Sequence, residues 1–261
     1  MAYADINGQR IYFEDTGGNG PPVILAHGFL MDHEMFAPQV AALRDQYRVI
    51  TWDERGFGLT EFDDQPFSYW DSASDCLGLL SHLGVDRAVV GGMSQGGFLS
   101  LRAALLAPER VRALILLDTQ SGTEDPAKRE AYQGMIDMWR TVGPVPELAG
   151  AVATIIIDDA AENEVWIAKW QARPKELMEQ PSNTLMSRDD ITGRLGEITC
   201  PALVVHGTED TAIEMHLAHA LAAGLSGCGG VVEVGGAHAA NLTNPEPVNA
   251  AILDFLAGLP A

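Results

Sequence analysis

Short apolar runs bounded by Gly, Pro and Asp alternate along this chain with longer segments in which apolar residues recur at helical spacing. The alternation predicts a mainly parallel sheet flanked by helices, since a strand covered on both faces is apolar throughout and a helix only along one stripe. Ala2 to Ile6 and Arg10 to Glu14 flank Asn7-Gly8, a pair that supplies the positive φ values of a tight turn, and so predict a hairpin. Pro22 to Ala26 predicts a third, buried strand. There follow a helix over Met35 to Leu43, a strand over Arg48 to Trp52, and a helix over Trp70 to Leu83 that ends at Gly84. Ala88 to Gly92 is the fifth strand. A helix from Gln95 or Gly96 to Ala107 stops before Pro108, and Val111 to Leu117 runs as a sixth strand into Asp118.

From about Gly122 to Ile198 no strand pattern occurs, while Tyr132, Met135, Ile136 and Trp139, then Trp166 and Trp170, recur at helical spacing. This segment, 122–198, reads as a helical cap inserted after the sixth strand. Alternation resumes with a strand over Ala202 to His206, a helix over Ile213 to Ala223, a strand over Val231 to Val234 and a helix over Pro247 to Leu256. The expected organisation is one α/β core, 1–121 with 199–261, with helices on both faces and a cap. No repeat or linker divides it.

Composition narrows the function classes. The chain has 261 residues, 47% of them hydrophobic, and its 16 basic against 36 acidic residues give a net charge of −20. Phosphate backbones and anionic lipid surfaces are bound by clustered Lys and Arg, so neither nucleic acid nor a membrane is an expected partner. The N-terminal stretch has no basic and apolar signal pattern, and no apolar run approaches a membrane span, so the expected location is cytoplasmic. Cys76, Cys200 and Cys228 are odd in number and lack metal-ligand spacing, which predicts reduced thiols and no zinc site.

Gly92-Met93-Ser94-Gln95-Gly96 has the G-x-S-x-G form of a nucleophile elbow and lies between a predicted strand and a predicted helix, the context that the motif needs. A serine in so sharp a turn brings its backbone against the residues two before and two after, which explains glycine at both. Serine needs a base to take its proton and a carboxylate to orient that base. His238 follows the last predicted strand and Asp210 the one before, so both loops emerge at the same sheet edge as Ser94. Gln95 N–H, opening a helix, is an expected donor to an oxyanion.

With His27-Gly28-Phe29, Asp53-Glu54-Arg55-Gly56-Phe57-Gly58, Ala107-Pro108-Glu109-Arg110-Val111 and Gly207-Thr208-Glu209-Asp210 in the same order, the sequence resembles the α/β-hydrolase superfamily, in its esterase, lactonase and perhydrolase-like group. The resemblance implies Ser94 as nucleophile, Asp210 as acid, His238 as base, and Phe29 N–H as the second oxyanion donor. It leaves Asp118 and Glu209 as other candidates for the acid. Serine at the elbow sets the chain apart from the haloalkane dehalogenases and epoxide hydrolases of this fold, which use aspartate there.

His27 and the Asp53/Arg55 segment read as structural, His206 as buried beneath the triad loop, and His216 and His219 as a solvated helix face. Met135, Trp139, Trp166 and Trp170 either line an apolar acyl or aryl pocket or pack the cap onto the core. The expected activity is hydrolysis of a small, neutral or apolar carboxylic ester or lactone without cofactor or metal. Carbon-carbon bond hydrolysis, perhydrolysis, amide hydrolysis and hydroxynitrile cleavage reuse such a triad, and a receptor that binds without turnover is the alternative outside catalysis. The sequence leaves the oligomeric state open.

Overall fold

The computed structural model describes residues 2–260; Met1 and Ala261, the outer ends of the expected core, lie outside the described residues. One sheet holds β1 (Ala2–Ile6), β2 (Gln9–Asp15), β3 (Pro22–Ala26), β4 (Arg48–Trp52), β5 (Ala88–Met93), β6 (Val111–Leu117), β7 (Ala202–Gly207) and β8 (Cys228–Val234). Their order is β1-β2-β4-β3-β5-β6-β7-β8. The β1 and β2 hairpin, turned at Asn7 (φ 50°) and Gly8 (φ 82°), adds antiparallel to β4, and every other pairing is parallel.

β6 shows why the central strands read as unbroken apolar runs. Leu114 and Leu116 enter one core cluster, Ala113, Ile115 and Leu117 the other, so alternate side chains are buried on opposite faces. α1 (Ala37–Leu43) and α10 (Pro245–Ala257) cover one face, and α2 (Tyr69–His82), α3 (Gln95–Leu106) and α8 (Met215–Gly224) the other. α2 starts in a capping box between Ser68 and Asp71 and is followed by Gly84 at φ 65°. Between β6 and β7 run α4 (Pro126–Val142), α5 (Pro146–Ile156), α6 (Ala160–Ala172) and α7 (Glu179–Ser187). A further short helix, α9 (Ala240–Thr243), follows β8.

Most boundaries fall within two residues of the sequence expectation, as α10 does by starting at Pro245 rather than Pro247, and three of the differences have a local setting. The helix expected over Met35 to Leu43 is a 3-10 turn, His33–Phe36, leading into α1; Pro38 has no N–H to return to Glu34. α8 starts at Met215, two residues after the expected Ile213, following a turn in which the Asp210 side chain accepts from the Ala212 and Ile213 amides. β8 begins three residues early, at Cys228, where Gly229 and Gly230 hide the period-2 pattern of an exposed edge strand. Among the described residues no helix is long and apolar enough to cross a membrane.

Candidate active site

Ser94 sits between β5 and α3 at φ 53° and ψ −113°, a conformation that costs a non-glycine residue about 1–3 kcal/mol. The turn is held from both sides. Its N–H donates to Leu117 O at 2.9 Å, and its carbonyl accepts from Gly97 N (2.9 Å), Phe98 N (3.1 Å) and Thr119 Oγ1 (2.8 Å). A Cβ at Gly92 would run into the backbone of Gly96 and the carbonyl of Ala26, and one at Gly96 into that same carbonyl. The elbow glycines are therefore a packing requirement of adjacent β3 and β5.

The loops after β7 and β8 bring Asp210 and His238 together. His238 Nδ1–H donates to Asp210 Oδ2 at 2.7 Å, while Asp210 Oδ1 accepts from Ala212 N (2.8 Å) and Ile213 N (2.9 Å). Burial alone would raise the Asp210 pKa, but the neighbouring His238, its hydrogen bond and the Ile213 amide hold it below the usual value. This bond leaves Nε2 as the free nitrogen of the His238 ring. Ser94 Oγ makes no hydrogen bond among the described residues; it shares the wall of one cavity with His238.

The other carboxylate candidates lie elsewhere. Asp118 is buried at φ 47°, accepts from Gly207 N at 2.7 Å, and has its pKa pushed well up by burial and by the Asp210 charge. Glu209 is exposed. His206 is buried beneath the loop, with Nε2–H donating to Ile213 O at 2.7 Å and lying 3.3 Å from Asp210 Oδ2. His216 and His219 are exposed and pair separately with Glu214 and Glu233. Asp53 accepts from His33 and Leu59, and Arg55 from the same segment pairs with Asp75 at 2.5 Å.

Asp32, His33 and Asp53, and likewise Asp118, His206 and Asp210, bring possible metal-ligand atoms within 4.8 Å of one another. The members are engaged already: His33 with Asp53 at 2.8 Å, Asp32 with Lys169 at 2.8 Å, and Asp210 with His238.

Phe29 follows β3, the strand beside β5, so its loop adjoins the elbow. Gln95 is the first residue of α3, and its N–H has no helical carbonyl to bind. Phe29 and Ser94 share a cavity of about 100 Å³ roofed by α4, α5 and α7. Met135 and Trp139 lie on its wall with Ile136, Ile156 and Leu185. Trp166, expected there, is not among the lining residues. It is buried in the core with Nε1 donating to Glu162 at 3.2 Å and Lys169 over its ring. Trp170 lines a second, smaller cavity and donates from Nε1 to Leu30 O at 2.7 Å.

The wall also holds two polar groups that the sequence pattern did not single out as site residues. Glu124 pairs with buried Arg188 at 2.5 Å, and Tyr132 donates to Ala212 O at 3.3 Å. A lone acid before a helix and a Tyr within an apolar stripe carry no local signature.

The family model for the alpha/beta hydrolase fold matches residues 21–245. An esterase from Thermogutta terrifontis is 29% identical with a TM-score of 0.88, the match covering 97% of this chain and 95% of that one. The enol-lactonase from Burkholderia xenovorans LB400 is 27% identical with a TM-score of 0.90, covering 98% and 100%. RutD of Agrobacterium fabrum, whose name assigns it provisionally to carbamate hydrolysis, is 29% identical over 255 residues, 94% of this chain and 96% of its own. The chain belongs to the alpha/beta hydrolase family and is a hydrolase.

Proposed function

We propose that the protein hydrolyses a small neutral carboxylic ester or lactone through an acyl-enzyme on Ser94. The observation that carries this reading is the 2.7 Å bond from His238 to a buried, ionised Asp210, beside the same cavity as a serine on a strained elbow. Ser94 Oγ attacks the carbonyl carbon as His238 Nε2 takes its proton, and Asp210 stabilises the imidazolium. The oxyanion so formed is bound by the Phe29 and Gln95 amides, each worth a few kcal/mol in the transition state. Collapse expels the alkoxide, which receives the proton from His238. Water, activated by the same nitrogen, then releases the acid and restores Ser94.

The apolar cavity wall supports an uncharged acyl group, and the esterase and enol-lactonase neighbours support this bond class. RutD makes a carbamate the second reading. The test compares wild type with Ser94→Ala on p-nitrophenyl esters of increasing acyl length, a lactone series and an aryl carbamate. Ester or lactone turnover that vanishes in the variant is expected. Retained turnover in Ser94→Ala defeats the serine mechanism, and carbamate as the sole substrate moves the assignment to the second reading.

A further inference from the structure

The two amides assigned to the oxyanion come from different loops, one after β3 and one after β5. For both to reach one oxygen, their relative placement has to hold to about 0.5 Å. Glu54, on a third loop just after β4, is bonded to a residue of each of those two loops. Its backbone N–H donates to His27 Nε2 at 3.0 Å, and His27 Nδ1–H donates to Gly28 O at 2.8 Å. That carbonyl belongs to the same planar peptide as the Phe29 N–H, so fixing the oxygen on one side fixes the direction of the N–H on the other. The two bonds also settle the His27 tautomer, and burial lowers its pKa, so the ring stays neutral.

The side chain of Glu54 reaches the other loop. Its Oε1 accepts from Gln95 Nε2 at 3.0 Å, and Gln95 Oε1 accepts from Tyr69 OH at 3.2 Å. The Gln95 side chain is pinned at both ends, which leaves its own backbone N–H little freedom. His27, Glu54, Tyr69 and Gln95 are all buried. Burying four polar side chains at the carboxyl edge of the central strands is costly unless they are bonded, and an apolar set would fill the space without that cost.

We propose that Glu54 is a positioning residue for the oxyanion hole, orienting the Phe29 amide through His27 and the Gln95 amide through its carboxyl group. The proposal rests on the serine hydrolase reading above. Burial pushes the Glu54 pKa well above the usual carboxylate range. The link to Gln95 needs an oxygen that accepts from its Nε2, and a glutamine amide offers one at the same place.

The test uses Glu54→Leu, Glu54→Gln and Gln95→Met in the full chain, each checked for a native melting transition. In Glu54→Leu, kcat is expected to fall about ten- to hundredfold with KM within twofold, the range that displacing one oxyanion donor produces. The inhibition constant of phenylboronic acid, which forms a tetrahedral adduct on serine, rises by the same factor. Glu54→Gln stays within about threefold of wild type on both readouts. Gln95→Met, which cuts the same link but keeps the amide, reproduces the Glu54→Leu defect and carries the test if that variant does not fold. A folded Glu54→Leu or Gln95→Met with unchanged kcat and boronate affinity overturns the proposal, as does a Glu54→Gln defect equal to that of Glu54→Leu. Full activity in Ser94→Ala would instead defeat the underlying reading, which an inactive Ser94→Ala with an unimpaired Glu54→Leu leaves standing.

Discussion

Asp118 and Asp210 are two buried carboxyl groups beside one histidine pair, and their surroundings push their pKa values in opposite directions. Burial and the Asp210 charge push the Asp118 pKa well up, whereas that of Asp210 is held down by His238 and by backbone amides, against its own burial. The substitutions are therefore unequal. Asp210→Asn can present an N–H to His238 Nδ1 and so favour the wrong tautomer; kcat is expected to drop by about 10⁴-fold with a small change in melting temperature. Asp118→Asn keeps an oxygen that accepts from Gly207 N and leaves the bond from His238 to Asp210 in place, and kcat should stay within a few fold. A kinetic comparison of the two variants checks both; a large loss in Asp118→Asn would move the acid to the end of β6. Strand-to-loop position alone does not separate these residues, because all three candidate acids follow apolar strands; the choice of Asp210 comes from the resemblance. The elbow was legible, since strand, glycines and helix are local features.

At the scale of elements, the turn ahead of α1 is fastened to the end of β4 by His33 and Asp53. Burial would lower the His33 pKa, but the Asp53 hydrogen bond and charge outweigh it and raise the value, while Asp53 is lowered by the same bond despite its burial. A raised histidine contributes stability in full below its unfolded pKa of about 6.5 and loses it as pH rises through the folded value. A lowered aspartate contributes above about 3.9 and loses it as pH falls through its folded value. The pair is thus strongest between these limits. Thermal melts from acid to alkaline pH should show the wild type's advantage over His33→Asn largest there and shrinking above pH 6.5 or so; a constant difference would remove the charge from the account.

The helices between β6 and β7 are fastened in turn to the loop that carries Phe29. Trp170 donates to Leu30 O at 2.7 Å, Leu30 itself being held at φ 67°. Trp170→Phe keeps an aromatic side chain but removes the donor and part of the buried indole, so denaturant unfolding should register a loss of at least about 1 kcal/mol. Helical spacing made these helices legible, yet it is the same signal for a residue that packs and one that lines a cavity. Trp139 and Trp166 read alike and are buried in the same core cluster, and only the fold brings the first to the cavity wall as well. β8 was half legible for the related reason that Gly229 and Gly230 carry no side chain to show a face.

Over the whole molecule, a net charge of −20 surrounds a cavity whose wall is mostly apolar and whose Glu124 is already paired with Arg188 behind it. Two effects then oppose an anionic substrate, and they differ in range. The field of the acidic surface acts at a distance and is screened as the Debye length shrinks from about 30 Å at 0.01 M salt to about 3 Å at 1 M. Desolvating a carboxylate against Met135, Trp139 and Ile156 acts only on contact and is nearly indifferent to salt. Two p-nitrophenyl esters of equal length, one ending in methyl and one in carboxylate, separate them. The methyl-ended ester is expected to have the higher kcat/KM at every ionic strength. Its advantage should narrow as salt is raised and level off above unity, the fall measuring the surface field and the plateau the cavity wall. An advantage that vanishes entirely at high salt would mean that the apolar wall exerts no selection, and a preference for the carboxylate at low salt would place an uncompensated cation at the site.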